Sequence, residues 1–595
     1  MTARHSQDHP RKDVLSERDD LWDLTRGDAE DNRSSPHWRG WRGLALATAL
    51  DFNYLSAAIT FVWLIVLPAI VVGLVVPSVI VIARWKLGAA ELVTKSPAVA
   101  VISLTLLLGA MLWVVRALLA VSLDNFWHLH HTLVSPLFVT LREVIGMGLE
   151  AVPSRALDDR DLHRLRRAST VLATMLLAGS GVALALAVPF STVAGLDNLR
   201  PVSLAALTIA ALGNALVVLG LSMAIASVYW FAQEITSAPV LNGAPSQPVP
   251  AAHTLRIAHL SDLHLVGERY GYRMEPGRGG PCGNDRATRA FCQLDTIQAT
   301  RALDRIIVTG DITDAGTRAE WLEFLALVQA WPDLRRRLLF VPGNHDINIV
   351  DRTNPGRLDL PWSVAGAVRK LRVILALDAV QGESVHVVDR ASGALGGTLR
   401  DYLRSGNRST LLRDLAERGT WRGRWETVKV CEEIFPLIAP PSEEGCGVIL
   451  LDSNARRYFS LTNAIGFINP EQLRALNSIL RSTPATAWII AVHHHLEEYP
   501  IRGLGLQERA GVVLVNASDV LHVIARCDRP VVILHGHRHR DWIGTRGGAV
   551  LCSAPSVTLG DRGSLRRDGS FSIYDIVFAS DGRVQVPRVD RVRVA

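Results

Sequence analysis

Two patterns of apolar and polar positions divide the chain near residue 235. In the first half, apolar residues run on without alternation. Leu55 to Ala83 and Ala168 to Phe190 contain no charge, Ala98 to about Leu123 is broken only by Arg116, and Val202 to Ala232 by nothing stronger than Asn214. Each run reaches the roughly 20 residues that a helix needs to cross a hydrocarbon core. Each is also apolar all round, where a surface helix of a soluble body would keep a polar face. The pattern predicts transmembrane helices at 55–83, 98–123, 168–190 and 202–232, within a membrane domain at 43–235. In the second half the apolar runs shorten and become β-branched: Leu255 to Leu260, Ile306 to Thr309, Leu338 to Pro342, Trp488 to Val492 and Val531 to Leu534 each read as a strand. Between the halves, 236–252 carries Pro239, Pro245, Pro248 and Pro250 and reads as an extended linker. The polar stretch 1–42 reads as a disordered tail, without the short apolar run of a secretory signal.

Charge refines this picture. Lys and Arg number 63 against 57 Asp and Glu, a net +6 that over 595 residues implies no nucleic-acid partner. The arginines concentrate before span one and between spans two and three, with Arg142, Arg155, Arg160, Arg164, Arg166 and Arg167 in the latter segment. The opposite loops hold only Arg84, Lys86, Lys95 and Arg200. The positive-inside rule then predicts a multi-pass protein with both termini, and the whole second half, in the cytoplasm. All six cysteines lie in that second half without CxxC pairs, as expected of reduced thiols. His128, His130 and His131 cluster after span two, but no acid or cysteine stands at ligand spacing, and the following run Leu133 to Ile145 suits an interfacial helix.

Each strand-like run of the second half ends in residues that bind metals. Asp262 and His264 follow the first, Gly310 and Asp311 the second with Asp314 just beyond, and Gly343, Asn344, His345 and Asp346 the third. His493, His494 and His495 follow the fourth, and His535, Gly536, His537 and His539 the fifth. Loops beyond the carboxyl ends of strands are where α/β proteins assemble sites. Hydrolysis of a phosphate ester needs charge neutralised on the phosphoryl oxygens and hydroxide made near neutral pH, and a pair of metal ions does both. Neutral imidazole and amide donors with few carboxylates leave such a pair net positive toward an anion.

The five blocks, in this order, resemble the calcineurin-like metallophosphoesterase superfamily, with its DxH, GD, GNHD, H and GHxH pattern, from about Leu255 to Ser556. Within it they look most similar to bacterial class III cyclic-nucleotide phosphodiesterases. The resemblance implies an α/β sandwich of two β-sheets flanked by helices over 253–595, following the all-α transmembrane four-helix domain. It implies two divalent or trivalent metal ions (Mn, Fe, Zn or Co), one held by Asp262, His264 and His539, the other by Asn344, His493 and His537, with Asp311 bridging. By the same resemblance His345 is the general-acid candidate and Asp346 orients it or its loop. Three histidines stand where the family has a pair followed by proline, so the ligand is one of His493, His494 and His495, the first being favoured. Asp314, Asn454 and the other two histidines are candidates for substrate contact or support. A family-free stretch at 351–447 is expected as a cap, with Arg413, Arg418, Arg422, Arg424, Trp421 and Trp425 interleaved along it. The expected substrate is a cyclic nucleotide or similar phosphodiester. A lipid-linked pyrophosphate is the rival substrate, and a transporter or sensor with a ligand-binding phosphoesterase-like body the rival class.

Overall fold

The computed structural model describes residues 105, 109, 134–151, 159–188, 204–236, 238–243, 251–267, 283–347, 364–390, 392–418, 420–441, 445–454, 464–499, 509, 512–560, 568–579 and 583–594. The expected tail, the first span, all of the second but Thr105 and Gly109, and His128, His130 and His131 lie outside the described residues.

Among the described residues α1 (Ser135–Ala151), α2 (Asp159–Ala187) and α3 (Leu204–Thr236) precede the strands. Hydropathy sets where a span begins but not where a helix begins, and α2 starts at Asp159 rather than Ala168. Arg160, Arg164, Arg166 and Arg167, read from the sequence as loop, form its first turns, where arginine is a good helix former. Arg142 likewise belongs to α1. α2 and α3 pack at a small-residue contact: a Cβ on Gly181 or on Gly220 would strike the carbonyl oxygen of the other. Such close backbone approach is how apolar helices associate where burial from water supplies no force. Asp161–Ala187 and Ala211–Thr236 are long and apolar enough to cross a membrane. Their outer faces leave Leu186, Ile225 and Met175 exposed at 79%, 69% and 66%.

The rest is a sandwich of two mixed sheets. Its strands are β1 (Val240–Asn242), β2 (Ala251–Leu260), β3 (Arg305–Val308), β4 (Leu338–Phe340), β5 (His386–Val388), β6 (Leu395–Thr398), β7 (Leu437–Ala439), β8 (Cys446–Leu450), β9 (Ala487–Ala491), β10 (Val531–His535), β11 (Trp542–Arg546), β12 (Ala549–Ser553), β13 (Gly569–Ala579) and β14 (Val584–Val594). Nine strands form one sheet in the order β1-β11-β12-β10-β9-β8-β7-β5-β6, and five form the other in the order β14-β13-β2-β3-β4. In β8, β9 and β10 alternate residues serve two cores. Val448, Leu450, Ile489, Ala491, Val532 and Leu534 face the core shared with the five-stranded sheet. Ile449, Trp488, Ile490 and Ile533 face the helices Pro470–Ser482 and Ala517–Ala525. Burial on both faces makes these strands continuous apolar runs rather than alternating ones, which is why they were legible.

Two sequence expectations change here. The insertion at 351–447, expected as a cap, builds the far edge of the nine-stranded sheet with β5, β6 and β7, and packs the helices Val364–Gln381, Leu399–Arg404, Arg408–Arg418 and Trp421–Glu433 beside them. The linker at 236–252 contains β1, paired antiparallel with β11, and the start of β2. Strands of three or four residues leave no periodic signal to read. Among the described residues Cys292, Cys431, Cys446, Cys527 and Cys552 are free thiols.

Candidate metal centre

The parallel registers β2 to β3 to β4 in one sheet and β9 to β10 in the other bring the five motif loops to one end of the sandwich. Aiming these side chains into one space requires unusual backbone. Asp262, His264, Asp311, His537 and His539 have φ of 53°, 44°, 48°, 69° and 50°, and no other non-glycine residue among those described has a positive φ. Asp and His enter this region more readily than most residues. Strain of this kind persists where the surroundings over-determine it, as at a ligand clamp. Gly310, at φ 94°, also lies so close to the His493 ring that a Cβ would overlap it.

Hydrogen bonds lock the loops together. Asp262 N donates to Gly310 O at 3.0 Å, and His264 N to Asp311 O at 2.9 Å. Beyond β12, Ser556 Oγ donates to Asp262 O at 2.7 Å and Thr558 Oγ1 to Leu263 O at 2.9 Å. No motif marked these two residues; the available signal was that they follow a sixth apolar run.

Two buried clusters result, Asp262 with His264 and His539, and Asp311 with His493 and His537. In the first, His539 Nε2 lies 3.2 Å from Asp262 Oδ1 and 3.4 Å from His264 Nε2. In the second, His493 Nε2 lies 3.4 Å from Asp311 Oδ2, 3.1 Å from His537 Nδ1 and 3.0 Å from Asn344 Oδ1. Asp311 Oδ2 is also 3.8 Å from His264 Nε2, so it stands between the clusters.

This arrangement fits a pair of metal ions. His493 Nδ1 donates to Thr309 O at 2.7 Å, which leaves a lone pair on Nε2 of the neutral ring. His264 Nδ1, 3.2 Å from Asp314 Oδ1, is fixed the same way. Lone pairs and carboxylate oxygens of buried side chains then converge, and they repel unless cations or protons stand among them. Two carboxylates, four imidazoles and an amide suit Mn, Fe, Zn or Co.

In the metal-free protein protons take that place. Burial disfavours the cations of His264 and His493, but Asp314, Asp311 and Asp262 around the first, and Asp311 and Asp262 around the second, outweigh it and raise both to about 9. Burial also opposes ionisation of Asp311, yet His493, His345 and His264 hold its carboxyl well below the usual range. Metal must therefore displace protons. Titrating Mn²⁺ or Zn²⁺ into metal-free protein in weak buffer at pH 7 should release about two protons per chain, and the release should vanish as pH rises through about 9. Release independent of pH would contradict the protonated state. The same shifts predict that metal-free protein keeps the stability these cations add below pH 6.5 and loses it as pH rises through about 9, because the folded state holds protons the unfolded chain has shed.

The remaining candidates take distinct places. His345 packs edge-on against His264 at 4.7 Å between ring centres, and its Nδ1 donates to Asp314 O at 2.7 Å, leaving Nε2 for another partner. Asp346 stands apart from the clusters. Its carboxylate accepts from Gly343 N at 2.8 Å, Ile312 N at 3.2 Å, Thr313 N at 2.8 Å and Thr313 Oγ1 at 2.6 Å. It therefore ties two loops together, while the His345 ring is oriented by Asp314. His494 is turned to Ser453 Oγ at 2.7 Å, and His495 to Glu498 Oε1 at 3.0 Å, so His493 alone of the three lies between Asp311, Asn344 and His537. Asn454 Nδ2 donates to Pro342 O at 2.9 Å and supports the Asn344 loop.

Residues 255–541 match the model of the calcineurin-like phosphoesterase family. A probable cyclic nucleotide phosphodiesterase of Coxiella burnetii is 31% identical over 102 residues, which are 17% of this chain and 36% of that protein, so the match spans about a third of the relative's length. Among solved structures, a dimetal phosphatase from Danio rerio is similar at 13% identity and a TM-score of 0.31, covering 57% of this chain and 99% of its own. A sulfate thiohydrolase of Thermus thermophilus is similar at 12% identity and a TM-score of 0.28, covering 58% of each chain.

Proposed function

We propose that the chain is a membrane-anchored, dinuclear metal-dependent phosphodiesterase acting on a cyclic nucleotide or a similar phosphodiester. The observation that carries the reading is the convergence of Asp262, His264, Asp311, Asn344, His493, His537 and His539, five of them with left-handed backbone, at one end of a calcineurin-like sandwich. When bound there, metal ions supply positive charge for the phosphoryl oxygens and acidify water. Asp262, His264 and His539 would hold one ion and Asn344, His493 and His537 the other. Asp311, between the clusters, balances the charge of both. His345 faces the substrate with Nε2 and gives a proton to the leaving oxygen, its ring held by Asp314 O. Asp346 keeps the loops of Asp311 and Asn344 in register.

A lipid-linked pyrophosphate is the second reading, favoured by the exposed apolar faces of α2 and α3, which would set the site beside a bilayer. Metal-loaded protein should hydrolyse bis(p-nitrophenyl) phosphate, and its turnover of cyclic nucleotides against lipid pyrophosphates distinguishes the two. Hydrolysis of none of these with metal bound would leave a ligand-binding sensor in place of an enzyme. The arginines before span one and between spans two and three support a multi-pass chain with the sandwich in the cytoplasm. A reporter fused after Ala595 should therefore score cytoplasmic; a periplasmic score would exclude intracellular cyclic nucleotides and favour envelope lipid phosphates.

A further inference from the structure

Beside one small apolar contact, between Val139 of α1 and Val513, the described parts of the three helices meet the sandwich through buried charges. Arg166 of α2 ion-pairs with Glu497, and with Glu234 of α3 at 3.0 Å. Arg546 of β11 takes the other oxygen of Glu497. Glu150 of α1 accepts from Arg509 at 2.8 and 2.9 Å. What sets this contact apart is where Glu497 lies. Its neighbour Glu498 ion-pairs with Arg538 at 2.6 Å, and Arg538 sits between His537 and His539. Glu498 also holds His495 at 3.0 Å. One short segment, His493 to Glu498, therefore carries a candidate ligand at its start, is pinned to the other histidine loop by Glu498, and is gripped by the helices through Glu497.

We propose that Arg166 is a positioning residue for the metal centre: through Glu497 it sets the His493–Glu498 segment, so that the site depends on how α2 and α3 are seated. The effect on turnover rests on the phosphodiesterase reading; the effect on the loops does not. Glu497 is 3% exposed. Removing Arg166 leaves Glu497 with Arg546 on one oxygen only and takes from Glu234 its partner at 3.0 Å, and a buried carboxylate that has lost a cation draws the backbone carrying it toward water. The segment has little slack, because His493 Nε2 has three neighbours between 3.0 and 3.4 Å. A displacement of about 1 Å in such a site costs about 10²-fold in rate. The same interface supplies a contrast: Tyr229 Oη donates to Asp519 Oδ1 at 2.7 Å, on a helix that carries no ligand.

The test uses the full chain in lipid nanodiscs with Mn²⁺. Arg166→Gln and Glu497→Gln should each speed amide hydrogen exchange in 493–499 and 536–540 about tenfold or more, weaken metal binding about tenfold, and lower kcat on bis(p-nitrophenyl) phosphate by 10- to 100-fold with KM nearly unchanged, the scale seen when support for a metal ligand is lost. Arg166→Lys should recover most of this, and Tyr229→Phe should change kcat less than about twofold, as expected of an exposed contact. Glu497→Gln keeps the shape of the pair, so it serves if Arg166→Gln does not fold. Unchanged exchange in both segments in a folded Gln variant overturns the proposal, as does a loss in Tyr229→Phe equal to that in Arg166→Gln. If the unmodified chain hydrolyses no phosphoester, the phosphodiesterase reading fails, while exchange and metal affinity still decide the coupling.

Discussion

Asp311→Asn should lower hydrolysis by on the order of 10³-fold or more, the cost of removing a preorganised charge from the reacting centre, and reduce bound metal below two ions per chain. The expectation follows from what the carboxylate faces. Oδ2 lies 3.4 Å from His493 Nε2 and 3.8 Å from His264 Nε2, between the two clusters, while Oδ1 accepts from His345 N at 2.8 Å. An amide keeps the shape but loses the negative charge opposing two cations, and turns N–H groups toward lone pairs or toward His345 N. The fold should survive, because β3 is held by Ile306, Ile307 and Val308, all fully buried. Circular dichroism and elemental analysis check both halves; a variant with two bound ions and full turnover would take Asp311 out of the bridge.

His345→Ala should keep both metals and lose about 10²- to 10⁴-fold in rate, the range for a positioned acid or base. His345 belongs to neither ligand cluster's facing pairs. Its Nδ1 is committed to Asp314 O, so the ring presents Nε2 outward from a half-buried position. If that nitrogen protonates the leaving oxygen, the loss should shrink for p-nitrophenolate, which departs without a proton, and grow for an alkoxide. An equal loss across leaving groups would assign His345 to charge stabilisation instead.

The strands, and the Asp and His residues that cluster at their ends, were legible because both are local signals. A strand buried on both faces must be apolar throughout, as Val531 to Leu534 is, and a metal donor must be one of few residue types at a strand end. α2 and α3 were legible for a similar reason, though only in their apolar parts: nothing in hydropathy marks that α2 begins at Asp159. What the sequence did not reveal depends on partners far along the chain. Short strands such as β5 and β7 exist because a neighbouring strand completes their hydrogen bonds, and Leu437 and Ile438 alone could sit in any loop.

By itself, then, the sequence determined which chemistry the second half can carry and the order in which its strands deliver it. Only the tertiary structure decided which way each side chain turns. His493, His494 and His495 are chemically identical neighbours; Thr309 holds the first ring toward Asp311, Ser453 draws the second aside, and Glu498 the third. Asp346 carries the motif's last acid, yet four donors from Gly343, Ile312 and Thr313 claim it for the backbone, and the carbonyl of Asp314 orients His345. The physical reason is common to these cases. A residue type limits what a group can bind, but a buried polar group points toward whichever partner satisfies it, and those partners come from loops that only folding brings together.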